Sequence, residues 1–411
     1  MKNTGLYVHI PFCVSKCAYC DFLSAKPEND DQIKRYISSL AEEIREKAEM
    51  IPAALKTVDS VFFGGGTPTL LDAGELIYIL DEIKKSFDVR DDAEISIECN
   101  PGTAKAEAFK AFGKAGFNRI SFGLQSAVDE ELKILGRIHT FADFLRSFYD
   151  ARAAGFENIN VDIISAVPGQ TIESFMKTLD RVTGLKPEHI SCYSLILEEG
   201  TPLCDRIEEY PSLPGEDEER EMYNEACRFL GAKGYLHYEI SNFCLKDDNK
   251  DFRCRHNLGY WDRAVYFGFG AGAAGFDGKM RYKNITDVEE YIRGVTHDIP
   301  PTGSLRQAQH RTEGEGSIMY GEKPGFWEDI SQREVLTKED AMAEFMILGL
   351  RKTGGVSGVD FYENFGKWIE EVYGEIIEKQ IKEGTLEKTE EGYRLTSRGV
   401  EVSNPVLAEY M

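Results

Sequence analysis

Three cysteines stand within eight residues, Cys13, Cys17 and Cys20, in the phrase His9-Ile-Pro-Phe-Cys-Val-Ser-Lys-Cys-Ala-Tyr-Cys-Asp-Phe22. Three thiols this close are costly unless something binds them. A structural zinc site closes with four ligands, usually as two separated pairs, and no second pair stands in this chain. A 4Fe-4S cluster held by three cysteines leaves one iron without a protein ligand, and that iron can chelate the amino and carboxylate groups of a bound molecule. The Cys-x3-Cys-x2-Cys spacing, with aromatic residues between the ligands to exclude water, therefore reads as a cluster site whose metal ligands are Cys13, Cys17 and Cys20.

A second set of residues sits at the ends of apolar runs. In Gly64-Gly65-Gly66-Thr67 the missing side chains let backbone approach a ligand and offer N–H and C=O groups to an ammonium or carboxylate. Glu98 follows Ile95 and Ile97, and Gln125 closes Ser121-Phe-Gly-Leu-Gln-Ser126. Asp162 lies in Asn160-Val-Asp-Ile163, where a carboxylate in so apolar a run needs a partner or a ligand. Tyr7, six residues before Cys13, and Arg137 in Leu135-Gly-Arg-Ile-His139 complete the set, although a single arginine more often serves a surface ion pair.

The elements that must position these groups are short apolar runs at 6–10, 58–63, 94–99, 119–122, 159–163 and 189–195, alternating with helical-period segments such as 32–48 and 74–85. Six such β/α units suit a doubly wound sheet or a barrel. The expected fold is α/β, a partial (β/α)6 TIM-like barrel, since six units fall short of the eight strands of a closed one, and the functional groups should then gather where strands end. From residue 235 the pattern becomes less regular and runs into the Gly-rich segment 267–276. Residues 297–335 have little periodicity and read as a linker or insertion. Thr337 caps an expected helix through 350, 366–383 forms another, and 385–396 reads as a hairpin turning at Glu391-Gly392. The expected division is a barrel with accessory strands over 1–285, then the linker and a mostly helical, winged-helix-like domain over 286–411.

Charge and composition narrow the partners. Across 411 residues, 48 Lys plus Arg against 71 Asp plus Glu leave a net −23, which repels a phosphate backbone. Helix 366–383 carries three Lys against five Glu and no Arg, the wrong sign for a nucleic-acid groove, so no nucleic acid is expected. The uncharged run 264–276 is too short and Gly-rich for a transmembrane segment, and no secretion signal opens the chain, so a cytoplasmic location with reduced thiols is expected. A peripheral membrane contact and a homodimer stay compatible with the sequence.

The cysteine spacing, with Tyr19 before the last ligand, resembles that of the radical S-adenosylmethionine (radical SAM) superfamily. The resemblance implies a partial (β/α)6 barrel, a 4Fe-4S cluster, and reduction of S-adenosylmethionine to release a 5'-deoxyadenosyl radical. Tyr7-Val-His-Ile-Pro-Phe-Cys13, Gly64-Gly-Gly-Thr-Pro-Thr69, Arg119-Ile-Ser-Phe-Gly-Leu-Gln-Ser126, Leu135-Gly-Arg-Ile-His139 and Pro168-Gly-Gln-Thr171 resemble its oxygen-independent coproporphyrinogen III oxidase-like branch. They cover most of residues 5–276, and the second domain is similar to that branch's C-terminal (HemN-like) domain. Carried over by position, the branch implies S-adenosylmethionine contacts from Tyr7, Gly65, Gly66, Thr67, Glu98, Gln125, Arg137 and Asp162. Glu98 and Arg137 would meet polar ends of that ligand, and Asp162 its ribose hydroxyls.

Phe22 stands where the coproporphyrinogen III dehydrogenase of this branch has a further Cys, and twelve residues precede Cys13 where that enzyme has a longer lead. Cys20-Asp21-Phe22 and His256-Asn-Leu-Gly-Tyr-Trp261 instead resemble the heme chaperone (HemW) group, which implies a protein that holds heme and passes it to an acceptor protein. His256 is then the expected axial ligand of heme iron, with Cys254 as a second candidate and Tyr260 and Trp261 as apolar faces for the macrocycle. The chain departs from that group at Ala271, where a Pro is usual, at Ala274-Gly275, where His-Ser is usual, and in the insertion 306–330. Three functions follow as alternatives: a heme chaperone, a tetrapyrrole-modifying radical enzyme of the dehydrogenase type, and a metal-bound adaptor that never cleaves its nucleotide.

Overall fold

The computed structural model describes residues 4–295 and 330–411. Six strands, β1 (Thr4–Ile10), β2 (Thr57–Gly65), β3 (Asp88–Cys99), β4 (Arg119–Gln125), β5 (Ile159–Ser165) and β6 (His189–Ser194), pair in parallel in chain order. Each coincides with one of the six expected runs. The alternation along them explains the architecture. Val61 and Phe63, Ile95 and Ile97, Ile120 and Phe122, and Val161 and Ile163 belong to one buried core with Leu40, Leu76 and Phe144 of the covering helices. The intervening positions, among them Tyr7, Ser60, Glu98, Ser121 and Asp162, therefore face the other side of the sheet, and that side is polar.

The helices that cover the outer face start on local signals. Asn29 accepts from the Gln32 N–H at the head of the helix Asp30–Met50, and Thr140 and Thr171 cap the helices Phe141–Ala153 and Ile172–Gly184 through reciprocal bonds with Asp143 and Ser174. At one edge the hairpin β7 (Tyr235–Glu239) and β8 (Asn242–Leu245) joins β6 antiparallel. At the other edge β9 (Val265–Phe269) runs parallel to β1, followed antiparallel by β10 (Ala274–Phe276), β11 (Met280–Asn284) and β12 (Ile330–Val335). Among the described residues β7 and β12 do not pair, so the sheet is an open, partial barrel.

Residues 330–335 thus form a strand where a linker is expected, because they complete the ladder on β11. The rest of that stretch, 297–329, and with it nearly all of the 306–330 insertion, lies outside the described residues. The helix Val288–Val295 also packs Tyr291, Ile292 and Val295 into the first core, so the division expected at 285 is crossed by elements that belong with the barrel.

The C-terminal unit has its own core around Met346, Phe361, Ile369 and Ile377. Its helices are Lys338–Gly349, capped by Thr337 as expected, Gly358–Phe365 and Ile369–Glu383, beside a small sheet of β13 (Val356–Ser357), β14 (Leu386–Lys388) and β15 (Gly392–Leu395). This is the winged-helix-like arrangement, with the β13 strand unforeseen. It joins the barrel through backbone bonds from Ile240 N–H to the Arg351 carbonyl (3.1 Å) and from Thr353 N–H to the Tyr238 carbonyl (3.1 Å), and through Glu344 paired with Arg263 and Arg281. Among the described residues no helix is long and apolar enough to cross a membrane.

Candidate functional site

After β1 the chain forms a loop that folds back on itself, Cys13 N–H donating to the Ala25 carbonyl (3.0 Å) and Ala25 N–H to that of Pro11 (2.9 Å). Neighbouring loops pin it: Gly66 N–H bonds the Ile10 carbonyl (2.8 Å), Thr67 N–H that of Phe12 (2.8 Å), and Ala18 N–H that of Leu135 (3.0 Å). A Cβ on Gly66 would lie 2.7 Å from the Phe12 carbonyl oxygen, so only glycine permits this approach. All three cysteines are free thiols, Cys13 buried and the other two half-buried. The Cys13 Sγ lies 3.3 Å from Thr67 Oγ1, and Arg137 Nη1 donates to the Cys17 Sγ over 3.3 Å.

Among the described residues no three His, Cys, Asp or Glu side chains converge as a single metal ion requires. In a 4Fe-4S cluster each thiolate binds a different iron, so the three sulfurs need not meet at one point. Free thiols on one pinned loop, with a guanidinium donating to sulfur, fit such a cluster.

The expected strand-end residues collect around this loop. Gly65 has φ +112°, and a Cβ there would stand 2.5 Å from the His9 ring; its N–H donates to Glu98 Oε2 (3.1 Å). The Tyr7 hydroxyl bonds His9 Nδ1 (3.0 Å), which brings Tyr7 beside Gly65. Over the bare Cα of Gly123, Asn100 Oδ1, Gln125 Nε2 and Arg137 Nη2 come within 3.0, 3.1 and 3.3 Å of where a Cβ would sit. Arg137 Nη2 donates to Asn100 Oδ1 (2.5 Å) and Asn100 Nδ2 to Thr67 Oγ1 (2.7 Å), so one chain of contacts runs Thr67, Asn100, Arg137, Cys17. Gln125 adopts φ +72° at a register shift between β4 and β5, a strained backbone of the kind that persists where surrounding structure enforces it. Asp162 accepts from Ser121 Oγ (3.1 Å) and Asn160 Nδ2 (2.7 Å) on the same inner face.

Electrostatics mark Glu98 and Asp162 as buried carboxyls whose ionised forms are disfavoured even with the Arg119 charge near them. Burial, then the Asp162 charge, pushes the Glu98 carboxyl up to about 8 against the Gly65 N–H, which favours the ionised form. Burial likewise raises Asp162 despite its hydrogen bonds. A carboxyl raised from 4.5 to about 8 keeps in the fold a proton that the unfolded chain releases, so the ligand-free fold loses stability as pH rises through that window. Glu98→Gln keeps an acceptor for Gly65 without that cost. Its unfolding free energy is expected to exceed the wild type's by an increasing margin from pH 5 to pH 8, on the order of a few kcal/mol at the upper end. A margin independent of pH would show that Glu98 is not held protonated.

His256 lies elsewhere. On β2 the inward positions Ser60, Phe62 and Gly64 succeed one another; His256 bonds Ser60 Oγ through Nδ1 (3.0 Å) and stacks on Phe62, whereas Glu98 sits over Gly64. His256 belongs to the short helix Arg255–Trp261, whose first N–H groups donate to Glu94, and is therefore at the floor of the barrel, below the layer of Tyr7 and Phe62. It is 3% exposed, its Nε2 bonds the Tyr260 hydroxyl (2.8 Å), and burial followed by the Arg119 charge holds it neutral. With both ring nitrogens engaged, an axial role for His256 finds no support in this geometry. Cys254 is wholly buried with its thiol on Glu94, and Trp261 lies under the Arg351 guanidinium at 4.5 Å, so neither offers a face to a macrocycle. A cavity of about 590 Å³ does open beside the helix, between barrel floor and C-terminal unit, walled by His256, Tyr260, Tyr266, Phe276, Phe345 and Phe365.

Sequence reasoning missed Asn100, His9 and Arg119. Asn100 lies two residues beyond Glu98 at the strand end, a signal that was present but unused. Arg119 is 2% exposed in the floor, where Glu94 and Asp162 supply opposing charge. Alternation along Arg119, Ser121, Gly123 and Gln125 places it inward.

Residues 7–182 match the family model described as the radical SAM superfamily, and 336–402 that of the HemN C-terminal domain. The chain is 34% identical to the heme chaperone HemW of Lactococcus lactis subsp. lactis, over 100% of this chain and 98% of that protein. It is 33% identical to the Bacillus subtilis protein of the same name, with 98% of each covered. Among solved structures, coproporphyrinogen III oxidase (HemN) from Escherichia coli, described as a radical SAM enzyme, superposes with TM-score 0.79 at 21% identity, covering 100% of this chain and 90% of that one. At that identity the likeness is one of fold.

Proposed function

The chain belongs to the radical SAM superfamily, in the family of the proteins named heme chaperone HemW, and on that premise we propose that it is a heme chaperone carrying a 4Fe-4S cluster and S-adenosylmethionine. Cys13, Cys17 and Cys20 hold the cluster. Tyr7, Gly65, Gly66, Thr67, Glu98, Gln125, Arg137 and Asp162 line the S-adenosylmethionine site. Glu98, whose ionised form burial disfavours in the ligand-free chain, receives the ammonium; Asp162 receives the ribose hydroxyls; Asn100 and Arg137 fix the neighbouring polar groups. When bound, the cluster supplies an electron to the sulfonium. What this chain's residues contribute is orientation and a site whose backbone, at Gly65 and Gly66, allows close approach.

The observation that carries the chaperone reading is the aromatic cavity beside the helix Arg255–Trp261, which is separated from the cysteine loop by the Tyr7 and Phe62 layer. Its volume falls within the roughly 300–1,000 Å³ typical of cavities for organic ligands. A cargo held there sits apart from the radical site and leaves unchanged for a cytoplasmic acceptor protein.

Anaerobic incubation of the reconstituted chain with coproporphyrinogen III, S-adenosylmethionine and a reductant tests this against the dehydrogenase reading. The expected result is unchanged substrate. Conversion with release of 5'-deoxyadenosine would overturn the chaperone proposal in favour of a tetrapyrrole-modifying enzyme.

A further inference from the structure

Asp162 is held from below. Alternation on β5 turns Asn160 inward as well, one layer nearer the barrel floor, where it lies opposite Ser121 of β4 and His189 of β6. Both amide hydrogens of Asn160 are spent, on Asp162 Oδ1 (2.7 Å) and on Ser121 Oγ (2.7 Å), and Ser121 Oγ in turn donates to Asp162 Oδ2 (3.1 Å). Turning the amide over would set its carbonyl oxygen against the Asp162 carboxylate, so Oδ1 faces His189 Nδ1 (2.6 Å) and Ser191 Oγ (3.1 Å). An amide oxygen only accepts. His189 is therefore assigned the Nδ1–H tautomer, with the Nε2 lone pair accepting from the Tyr238 hydroxyl (2.7 Å). The Tyr238 oxygen receives the Cys254 N–H (3.1 Å), and the Tyr238 carbonyl receives the Thr353 N–H of the C-terminal unit (3.1 Å). Asn160, His189, Ser191, Tyr238 and Cys254 are all buried, and every donor in the row from Cys254 onward points toward Asp162. Burial, followed by the Arg119 charge, keeps His189 neutral, and burial keeps the Tyr238 phenol protonated, the forms that these bond directions require.

We propose that His189 is a positioning residue for S-adenosylmethionine: by donating to Asn160 it fixes the amide that aims the Asp162 carboxylate at the ribose hydroxyls. The proposal rests on the reading of Asp162 as the ribose contact and names what holds that residue in place. With Oδ1 engaged by Asn160 and Oδ2 by Ser121, each carboxylate oxygen keeps a further lone pair for one of the two adjacent hydroxyls. The donor that matters is the rigid one. Ser191 reaches Asn160 through a hydroxyl that rotates, whereas the His189 ring is set edge-on against Tyr238, with centroids 5.6 Å apart, and held at both nitrogens. Without the imidazole donor the Asn160 oxygen has Ser191 alone, the amide is free to turn, and the carboxylate above it loses its fixed direction.

The test is equilibrium dialysis of labelled S-adenosylmethionine against the anaerobically reconstituted full-length chain, with iron content as the control for folding. His189→Phe keeps a ring but has no donor, and is expected to weaken binding about tenfold with iron unchanged. His189→Asn puts an amide N–H where Nδ1–H stood and should restore most of that affinity. In an Asp162→Ala background His189→Phe should change affinity by less than about twofold, since the residue through which it acts is gone, whereas independent structural damage would add in full. If His189→Phe does not hold iron, His189→Gln, whose amide stands where Nε2 stood and leaves Asn160 without its donor, takes its place with the same expected loss. Wild-type affinity in the donor-less variant, no rescue by asparagine, or additive losses in the double variant would overturn the assignment alone. Unchanged affinity in Asp162→Ala would overturn the ribose reading of Asp162, and the assignment with it.

Discussion

Replacing Cys20 by alanine is expected to remove the brown 4Fe-4S chromophore from the anaerobically reconstituted chain and to lower its bound iron from about four atoms to near zero. The loop that carries Cys20 has no sulfur beyond the three ligands to substitute, and a cluster already one ligand short does not survive the loss of a second. Cys192→Ala and Cys227→Ala should leave the iron content unchanged, since Cys192 is buried in the barrel core and Cys227 packs against that core from the helix Glu216–Ala232. Iron loss in either control, or retained iron in Cys20→Ala, would contradict the ligand set. The measurement is iron per chain with the visible spectrum.

A comparably large effect is expected on stability, from a buried ion pair that binds no ligand. Lys47 and Glu43, one turn apart on the helix Asp30–Met50, are 2% and 1% exposed at their side chains and pair at 2.5 Å. Lys47 also donates to the Gly268 carbonyl (3.2 Å) and Asn284 Oδ1 (3.0 Å), while Glu43 accepts from Gly270 N–H (2.7 Å), Asn284 Nδ2 (2.7 Å) and the Tyr291 hydroxyl (2.6 Å). The pair holds the Gly-rich segment after β9 against the end of β1, directly below the cysteine loop. Lys47→Met leaves Glu43 charged and buried, and should cost about 3–5 kcal/mol of unfolding free energy. Glu43→Leu combined with Lys47→Met should recover much of that, because the desolvated charge is then gone. A loss below about 1 kcal/mol for the single variant, from denaturant midpoints at constant slope, would show that the pair is not desolvated.

The parallel strands and the strand-end residues are legible in the sequence because both rest on local signals. Outward Val, Ile and Phe alternate with inward polar residues, and a Cys, Gly or carboxylate at a strand end has few other reasons to be there. The Glu43 and Lys47 pair is not legible, since opposite charges four apart on a helix read as a solvated face, and only the tertiary contact with Gly270 and Asn284 reverses that. Strand β12 is invisible for a similar reason, its pairing to β11 being set by a partner more than forty residues away. His256 is the instructive case. The phrase around it is plain in the sequence, but no spacing rule reveals that Ser60 and Tyr260 occupy both ring nitrogens, or that the cavity beside it is completed by Phe345 and Phe365 from the second unit.

The function proposed above has this chain carry heme as cargo in a site distinct from its radical centre. Its most direct test is equilibrium titration of the reconstituted full-length chain with heme, read at the Soret band, with and without the cluster. Saturation at one heme per chain is expected in both forms, with recovery of the heme unaltered on extraction. No saturable uptake, or uptake that disappears with the cluster, would contradict it.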